Sequence, residues 1–390
     1  MSSPRNVVLL GATGSIGKNA LRILRAHPKK LRLVGASAHS NAEALLSVAK
    51  EFNLARICLT DETARAEASK NLPQGTELLG GSSGLEELAT MEEADVVLVA
   101  VVGVSGLSPT LAALRSGKDV ALANKEALVA GGKFVMEAAQ ASGARILPTD
   151  SEHNAVFQCL GGGSAEQVDK IILTASGGPF RDWSTERMAD ATPEEALRHP
   201  NWAMGPKITV DSATMANKGL EIIEARWLFD LPPERIEVIV HPQSIVHSLV
   251  QFVDGSLVAQ MSPPSMTFAI QHALLFPERA PGVDETINFA EAFSLDFTPP
   301  DPERFPCLRL AREALARGGV GPAVFNAANE VAVEAFLQNR IGFPSIAHTI
   351  EYSLERMKIQ EPVDLADVFA ADAEARRVAA ERTNATQPTP

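Results

Sequence analysis

The chain has 390 residues, 45% of them apolar and 21% charged, which suits a soluble globular protein with two or three cored domains. A formal charge of −13 disfavours nucleic acid and anionic membranes as general partners, so an anionic ligand needs a local cluster of cations. Cys58, Cys159 and Cys307 have no short spacing, which gives no disulfide framework or thiolate metal site and points to a reducing cytoplasm.

At the N-terminus a very short apolar run leads straight into a glycine loop, without the longer apolar core of a secretory leader. No apolar stretch approaches transmembrane length. Residues 6–10, 31–37, 55–60, 95–103 and 119–123 read as strands with helical patterns between them, and 144–150 as a further strand. This alternation predicts an α/β fold, a doubly wound Rossmann-type parallel sheet over residues 1–150. From 151 to 275 the pattern is mixed, with strands expected at 170–176, 207–210 and 234–240 and a hairpin through Asp254-Gly255 at 244–261. That stretch is expected to be a central α+β domain. Residues 276–302, rich in Pro and Asp, read as a linker. An apolar stripe through Val324, Phe325, Ala328, Val331, Ala335 and Phe336 predicts a small helical domain over 303–372, and 373–390 reads as a frayed tail.

The segment NVVLLGATGSIGKNALRIL places Gly11, Gly14 and Gly17 between a strand and an amphipathic helix, the setting of a dinucleotide pyrophosphate site. Thr13 and Ser15 add hydroxyl donors. A glycine turn also serves close helix packing, but its place within strand-loop-helix-strand favours the dinucleotide. The second strand is followed by Ala38, His39, Ser40 and Asn41. It lacks the acid that would accept from the ribose hydroxyls of NAD, which favours NADP. His39 fits both a solvated loop and a place at the ribose phosphate.

Asp150 and Glu152 follow a strand end, where ligands of open α/β sheets collect, and two such close carboxylates repel unless a cation intervenes. Hard oxygen ligands suit Mg²⁺ or Mn²⁺. The same residues also suit a solvated helix start. The stretch TVDSATMANKGLEIIEARWLF changes the balance. Asn217, Lys218 and Glu221 share one helical face near Ser212, so phosphate donors and a metal-binding acid project together within roughly one turn, about 5 Å. Gly219 would be costly in an ordinary helix, and Leu220, Ile223 and Trp227 already supply a core face. Ser176-Gly177-Gly178 with Arg181 reads as a turn or as part of a phosphate pocket. His199, Asn201, Trp202 and Lys207 lie in a Pro- and Gly-punctuated loop that fits a lid or an ordinary surface loop.

Together, GATGSIG, LANKEALVAGG, PTDSEHNAVFQCL, ASGGPFR, HPNWAMGPKITVDSATMANKGLE, HPQSIVHSLVQF and FNAANEVAVEAFL closely resemble the 1-deoxy-D-xylulose-5-phosphate reductoisomerase family, in order from residue 11 to about 337. The resemblance implies NADPH bound by Thr13, Gly14, Ser15 and Ile16, with Asn41, Asn124 and Glu126 also on the cofactor side and Gly205 near the nicotinamide. It implies a divalent cation, Mn²⁺ or Mg²⁺, on Asp150, Glu152 and Glu221. Lys125, Ser151, Glu152, Asn217 and Lys218 would hold the substrate's hydroxyls, and Ser176, His199, Ser212, Asn217 and Lys218 its phosphate, with Glu221 also counted on the substrate side. Trp202 and Met204 would belong to a flexible flap. The implied reaction breaks and re-forms a carbon–carbon bond of 1-deoxy-D-xylulose 5-phosphate, and NADPH reduces the branched aldehyde to 2-C-methyl-D-erythritol 4-phosphate. Glu152 would also handle protons and Lys125 steady oxyanion charge, in a homodimer. Where many family members carry Gly-Lys-Asn or Gly-Arg-Asn, only Asn41 of the AHSN stretch matches. Ser265 and Ala269 stand where the family more often has Asp and Pro, which predicts altered packing.

Two rival readings are a semialdehyde dehydrogenase, with Cys159 as the only nearby nucleophile, and a non-catalytic NADP sensor that keeps the fold. The FQCLGGG setting of Cys159 reads as a buried helix end, and intact acids at all three metal positions argue against the sensor.

Overall fold

Backbone pairing divides the strands into two sheets, seen here in a computed structural model that describes residues 3–161, 163 and 165–385. The chain runs β1 (Arg5–Leu10), α1 (Ser15–Ala26), β2 (Leu31–Ala38), α2 (Ala42–Phe52), β3 (Arg56–Leu59), α3 (Glu62–Ala68), β4 (Glu77–Gly80), α4 (Gly81–Ala89), β5 (Val96–Val99), α5 (Leu107–Arg115), β6 (Asp119–Leu122), α6 (Lys125–Ser142) and β7 (Ile146–Pro148). These seven strands make one parallel sheet in the order β4-β3-β2-β1-β5-β6-β7. Val7 to Leu10 and Val96 to Val99 are fully buried, as strands covered on both faces must be. The chain moves outward from β1 to β4 and returns beside β1 at β5, so the strand order reverses between β1 and β5. Ligands of open sheets bind at such a switch point.

The second part of the chain carries α7 (Ser151–Leu160), β8 (Val168–Ala175), α8 (Thr185–Ala189), α9 (Pro193–Ala196), α10 (Pro206–Ala213), α11 (Ala216–Phe229), β9 (Ile236–Val240), β10 (Val246–Phe252), β11 (Leu257–Met261) and α12 (Met266–Leu275). After a stretch without helix follow α13 (Pro306–Arg317), α14 (Gly321–Leu337), α15 (Pro344–Arg356) and α16 (Leu365–Ala385). The second sheet is mixed, in the order β11-β10-β8-β9.

The chain forms two compact units. The first comprises residues 1–127, 133–154 and 265–286, and the second 128–132, 155–264 and 287–390. The first buries the apolar strands of the parallel sheet. In the second, one core joins Phe180 and Leu173 with Leu220 and Ile223 of α11 and Phe325 and Phe336 of α14. At the rim of that core Asn329 of α14 donates to the buried carboxylate of Asp211 on α10 at 2.7 Å.

Several expectations need correcting. The division at residue 150 fails for α12. Its apolar face packs on α1, β6 and β7 of the first unit, with Gln271 near His27 at 3.2 Å and Leu274 accepting from Arg5 at 3.1 Å. The stretch 276–302 is not a separate linker, since its first part belongs to the first unit and the rest to the second. Thr298 there bridges Val240. The helical segment expected as its own domain shares the core of the second unit. KITV (207–210) is helical, inside α10; Pro206 at the first turn and the burial of Thr209 and Val210 on one face override the β-propensity of an isolated four-residue run. The strand β4 was not expected, because Glu77 to Gly80 is short and only half-buried. The tail from 373 is helical to Ala385, with Ala375, Val378, Ala379 and Thr383 buried. Arg376 ties it to α14 through Glu330 at 2.6 Å. Residues 386–390 lie outside the described residues.

Candidate functional site

In the first unit the glycine loop follows β1 at the switch point. Gly11 has φ +93°, and a side chain there would press on the carbonyl of Ala100 at 2.5 Å, so the turn requires glycine. The Gly11 N–H donates to the hydroxyl of the buried Ser37 at 3.1 Å. Gly14 differs, since a Cβ there would meet nothing of the chain closer than 3.5 Å. Its missing side chain clears space for something else. It precedes α1, whose N-terminus has no side-chain cap and no acid in its first turn, leaving free N–H donors and positive partial charge for an anion. Thr13, Ser15 and Ile16 surround this start. These features fit a pyrophosphate.

Asn41 caps α2, its side chain accepting from the Ala44 N–H at 3.1 Å. His39 is exposed and its Nδ1 lies 2.8 Å from the Thr60 hydroxyl. Asn124 caps α6 by accepting from the Ala127 N–H at 3.0 Å. Its amide donates to the carbonyls of Val101 at 3.0 Å and Gly103 at 2.9 Å, and to Glu126 at 3.0 Å. The carboxamide of Asn124 thus clasps the loop after β5 to the loop after β6.

The next residue, Lys125, is buried at 6% exposure and ion-paired with Asp150. Asp150 stands at the end of β7, where its side chain accepts from the Ser151 N–H at 3.0 Å. The Ser151 hydroxyl donates to Glu152 at 2.5 Å. A lysine, two carboxylates and a hydroxyl therefore gather on the edge formed by the starts of α6 and α7.

The second unit gathers the other candidates. Ser176 follows β8, and Gly178 (φ +68°) lies so close against α10 that a side chain would strike the Ser212 carbonyl at 2.6 Å. This approach sets the Ser176 and Ser212 hydroxyls 3.4 Å apart. His199 reaches Ser176 with Nε2 at 2.8 Å. Its Nδ1 accepts from the N–H groups of Asn201 at 3.2 Å and Trp202 at 3.0 Å. With Nδ1 an acceptor, the proton of the neutral ring sits on Nε2 and points at Ser176. Burial pushes the His199 pKa down to about 4, so the ring is a neutral donor at physiological pH. Arg181, expected as a candidate cation, donates to the Ser176 carbonyl at 3.1 Å.

The ends of α10 and α11 meet at Met215, which is left-handed at φ 62°. Glu221 is fully buried and takes Asn217 at 2.5 Å and Lys218 as partners on its own helix face. The expected sharing of one face by these three residues holds within the second unit. Gly219 has a packing reason of its own, since a Cβ there would lie 2.5 Å from that of Ala311 on α13. Gly205 caps α10 with open space around it. Asp211, which the sequence did not single out, pairs with Lys207 at 2.9 Å. Its only signal was an acid one turn after a lysine.

Family models of 1-deoxy-D-xylulose 5-phosphate reductoisomerase match residues 7–132 and, for its C-terminal domains, 146–229 and 261–378. The chain is 49% identical to the reductoisomerase of Burkholderia multivorans over 97% of its own length and 96% of the relative's. To that of Paraburkholderia xenovorans it is 50% identical over 97% and 95%. The chain belongs to the 1-deoxy-D-xylulose 5-phosphate reductoisomerase family. Among solved structures, the family member from Zymomonas mobilis in complex with NADPH is 45% identical, covers 98% of this chain and 99% of its own, and has a TM-score of 0.92. A reductoisomerase in complex with NADPH, fosmidomycin and magnesium is 41% identical over 97% and 98%, with a TM-score of 0.93. Against the dehydrogenase alternative, burial pushes the Cys159 thiol up to about 11, which leaves almost no thiolate at neutral pH.

Proposed function

We propose that this family member converts 1-deoxy-D-xylulose 5-phosphate to 2-C-methyl-D-erythritol 4-phosphate with NADPH and a divalent cation, as an isomerising oxidoreductase of isoprenoid precursor synthesis. One observation carries this reading beyond family membership. A single stretch of the second unit, from His199 to Glu221, joins neutral phosphate donors to a buried lysine and carboxylate.

Thr13, Gly14, Ser15 and Ile16 hold the cofactor pyrophosphate at the start of α1, with Asn41, Asn124, Glu126 and Gly205 on the cofactor side. Asp150, Glu152 and Glu221 supply hard oxygen ligands for one ion, Mg²⁺ or Mn²⁺. When bound, the ion polarises the substrate carbonyl as a Lewis acid and the nicotinamide supplies the hydride. Ser176, His199, Ser212, Asn217 and Lys218 bind the phosphate, and this cationic and hydroxyl set offsets the negative charge of the chain as a whole. Ser151, Glu152, Lys125, Asn217 and Lys218 orient the sugar hydroxyls. Lys125 stabilises oxyanion charge, and Glu152 moves a proton at the reacting hydroxyl. Trp202 and Met204 close over the substrate and exclude water.

The enzyme is placed in the cytoplasm, a reading supported by Cys58, Cys159 and Cys307 all being free thiols. Among the described residues no helix is long and apolar enough to cross a membrane. A homodimer is supported by the outer strand β11, where Leu257 is 54% and Val258 42% exposed. An uncharged apolar edge of this kind offers a template for a second copy.

NADPH absorbance followed with 1-deoxy-D-xylulose 5-phosphate tests the activity. Oxidation should require added Mg²⁺ or Mn²⁺ and stop with a chelator; NADPH oxidation indifferent to metal would sink the reading. With metal saturating, Glu152→Gln should lower kcat by about 10²- to 10⁴-fold, the usual range for a lost acid–base group. Normal turnover would remove the proton role from Glu152.

A further inference from the structure

The segment HPQSIVHSLVQF contributes no side chain to the proposed site, yet its first turn is built with unusual care. Ser244 is left-handed at φ 53° and buried. His241 is locked on both ring nitrogens: Nδ1 donates to the Asp296 carbonyl at 2.9 Å, and Nε2 accepts from the Ile245 N–H at 3.2 Å. Its ring stacks on Phe297, with centroids 4.6 Å apart and 17° between the planes. Gln243 and Asp296 bond to each other as well, through the Gln243 amide and the Asp296 N–H. So many constraints on one turn call for an object that the turn holds.

That object is the loop carrying His199. The Asn201 amide donates one hydrogen to the Pro242 carbonyl and the other to the Ser244 hydroxyl at 3.1 Å. The next residue, Trp202, sets its ring edge-on to His247 at 6.2 Å. His247 is fixed in turn by Ser262, through the hydroxyl at 2.9 Å and the carbonyl at 3.1 Å. The N–H groups of Asn201 and Trp202 are the ones that fill Nδ1 of His199. The contacts therefore run in series, from the turn at Pro242 and Ser244, through the Asn201 side chain and backbone, to the imidazole.

We propose that Asn201 and Ser244 are positioning residues: they latch the flap to the Pro242–Ser244 turn so that the flap's own N–H groups fix His199 with its Nε2–H aimed at the phosphate site. The inference rests on the reading of His199 as a phosphate ligand. The latch acts on a group that binds the substrate in its ground state as well as later, so its loss raises KM for the sugar phosphate more than it lowers kcat.

Hydrogen exchange of the free enzyme, together with steady-state kinetics, tests this on Asn201→Ala, Ser244→Ala and the double variant. Exchange at the amides of residues 201 and 202 should speed up in all three. KM for 1-deoxy-D-xylulose 5-phosphate should rise by roughly three- to tenfold, the size of a lost hydrogen bond, with KM for NADPH unchanged. Ser244→Ala removes one of the two hydrogen bonds that Asn201→Ala removes, so the double variant should match Asn201→Ala. Unchanged exchange at these amides, or effects that multiply in the double variant, would overturn the latch. Faster exchange with an unaltered sugar-phosphate KM overturns the positioning role too. His199→Ala, measured in parallel, then shows which link failed, because an unaltered KM there refutes the phosphate reading itself.

Discussion

Individual ionisable groups explain how the fold pays attention to charge. His199 and His272 are both held at about pKa 4, the first by burial and the second by burial and the nearby Arg279 cation. In the unfolded chain each takes a proton near pH 6.5. Between about 6.5 and 4 the unfolded state therefore binds more protons, and stability must fall as the pH drops through that window. Asp284 acts lower. Its burial raises its pKa, but the hydroxyls of Ser265 and Thr267 and the Arg22 guanidinium outweigh that and hold it at about 2. Its contribution is complete above its unfolded value near 4 and is lost as the pH falls towards 2. Urea midpoints measured from pH 7 to pH 4.5 should decline, and His272→Asn should flatten the decline. A midpoint independent of pH over this range would contradict the burial of both rings. The Asp284 contacts also give Ser265 a role. The Ser265 hydroxyl donates to the Asp284 carboxylate at 2.5 Å.

At the scale of elements, Gly219 shows two effects competing. Replacing it by Ala gains about 1 kcal/mol of helix propensity, yet the new methyl would lie 2.5 Å from Ala311 on α13. Overpacking costs about 1–3 kcal/mol, so the clash wins. Gly219→Ala is expected to destabilise by up to about 2 kcal/mol in denaturant unfolding, and Ala311→Gly in the same chain should relieve the clash at a cost of about 1 kcal/mol of helix propensity in α13. A stabilised single variant would mean that α11 and α13 separate easily. The element readings that succeeded were those with long or repeated patterns. Strands at 6–10, 31–37 and 119–123 and the hairpin at Asp254-Gly255 lie where expected, with the turn carried by Gly255 at φ 86°. KITV and the last helix failed because four residues, or an Ala- and Arg-rich stretch, carry no period that decides between states. Burial of Val210 and Val378 against distant helices decided them.

For the whole molecule, the exposed edge of β11 carries the prediction of assembly. A charged residue there should oppose pairing with a second copy. Val258→Lys is therefore expected to turn a dimer into a monomer in light scattering after size exclusion. A wild-type chain that runs as a monomer would refute the homodimer outright. The candidate site was legible as residue types: a glycine loop before a helix, carboxylates after a strand, and Asn217, Lys218 and Glu221 at helical spacing. Their partners were not. Nothing local announces that Lys125 meets Asp150, or that Asn201 meets Ser244, because these residues are 25 and 43 positions apart and meet only through the fold.

The sequence by itself determined the parallel sheet, the glycine turn between β1 and α1, and carboxylates just after β7, since each depends on periodicity or on the intrinsic chemistry of neighbouring residues. Tertiary structure alone decided which unit α12 joins, why Gly219 is glycine, and which proton His199 carries. Those outcomes depend on close packing and hydrogen-bond partners supplied from elsewhere in the chain, and no local pattern encodes them.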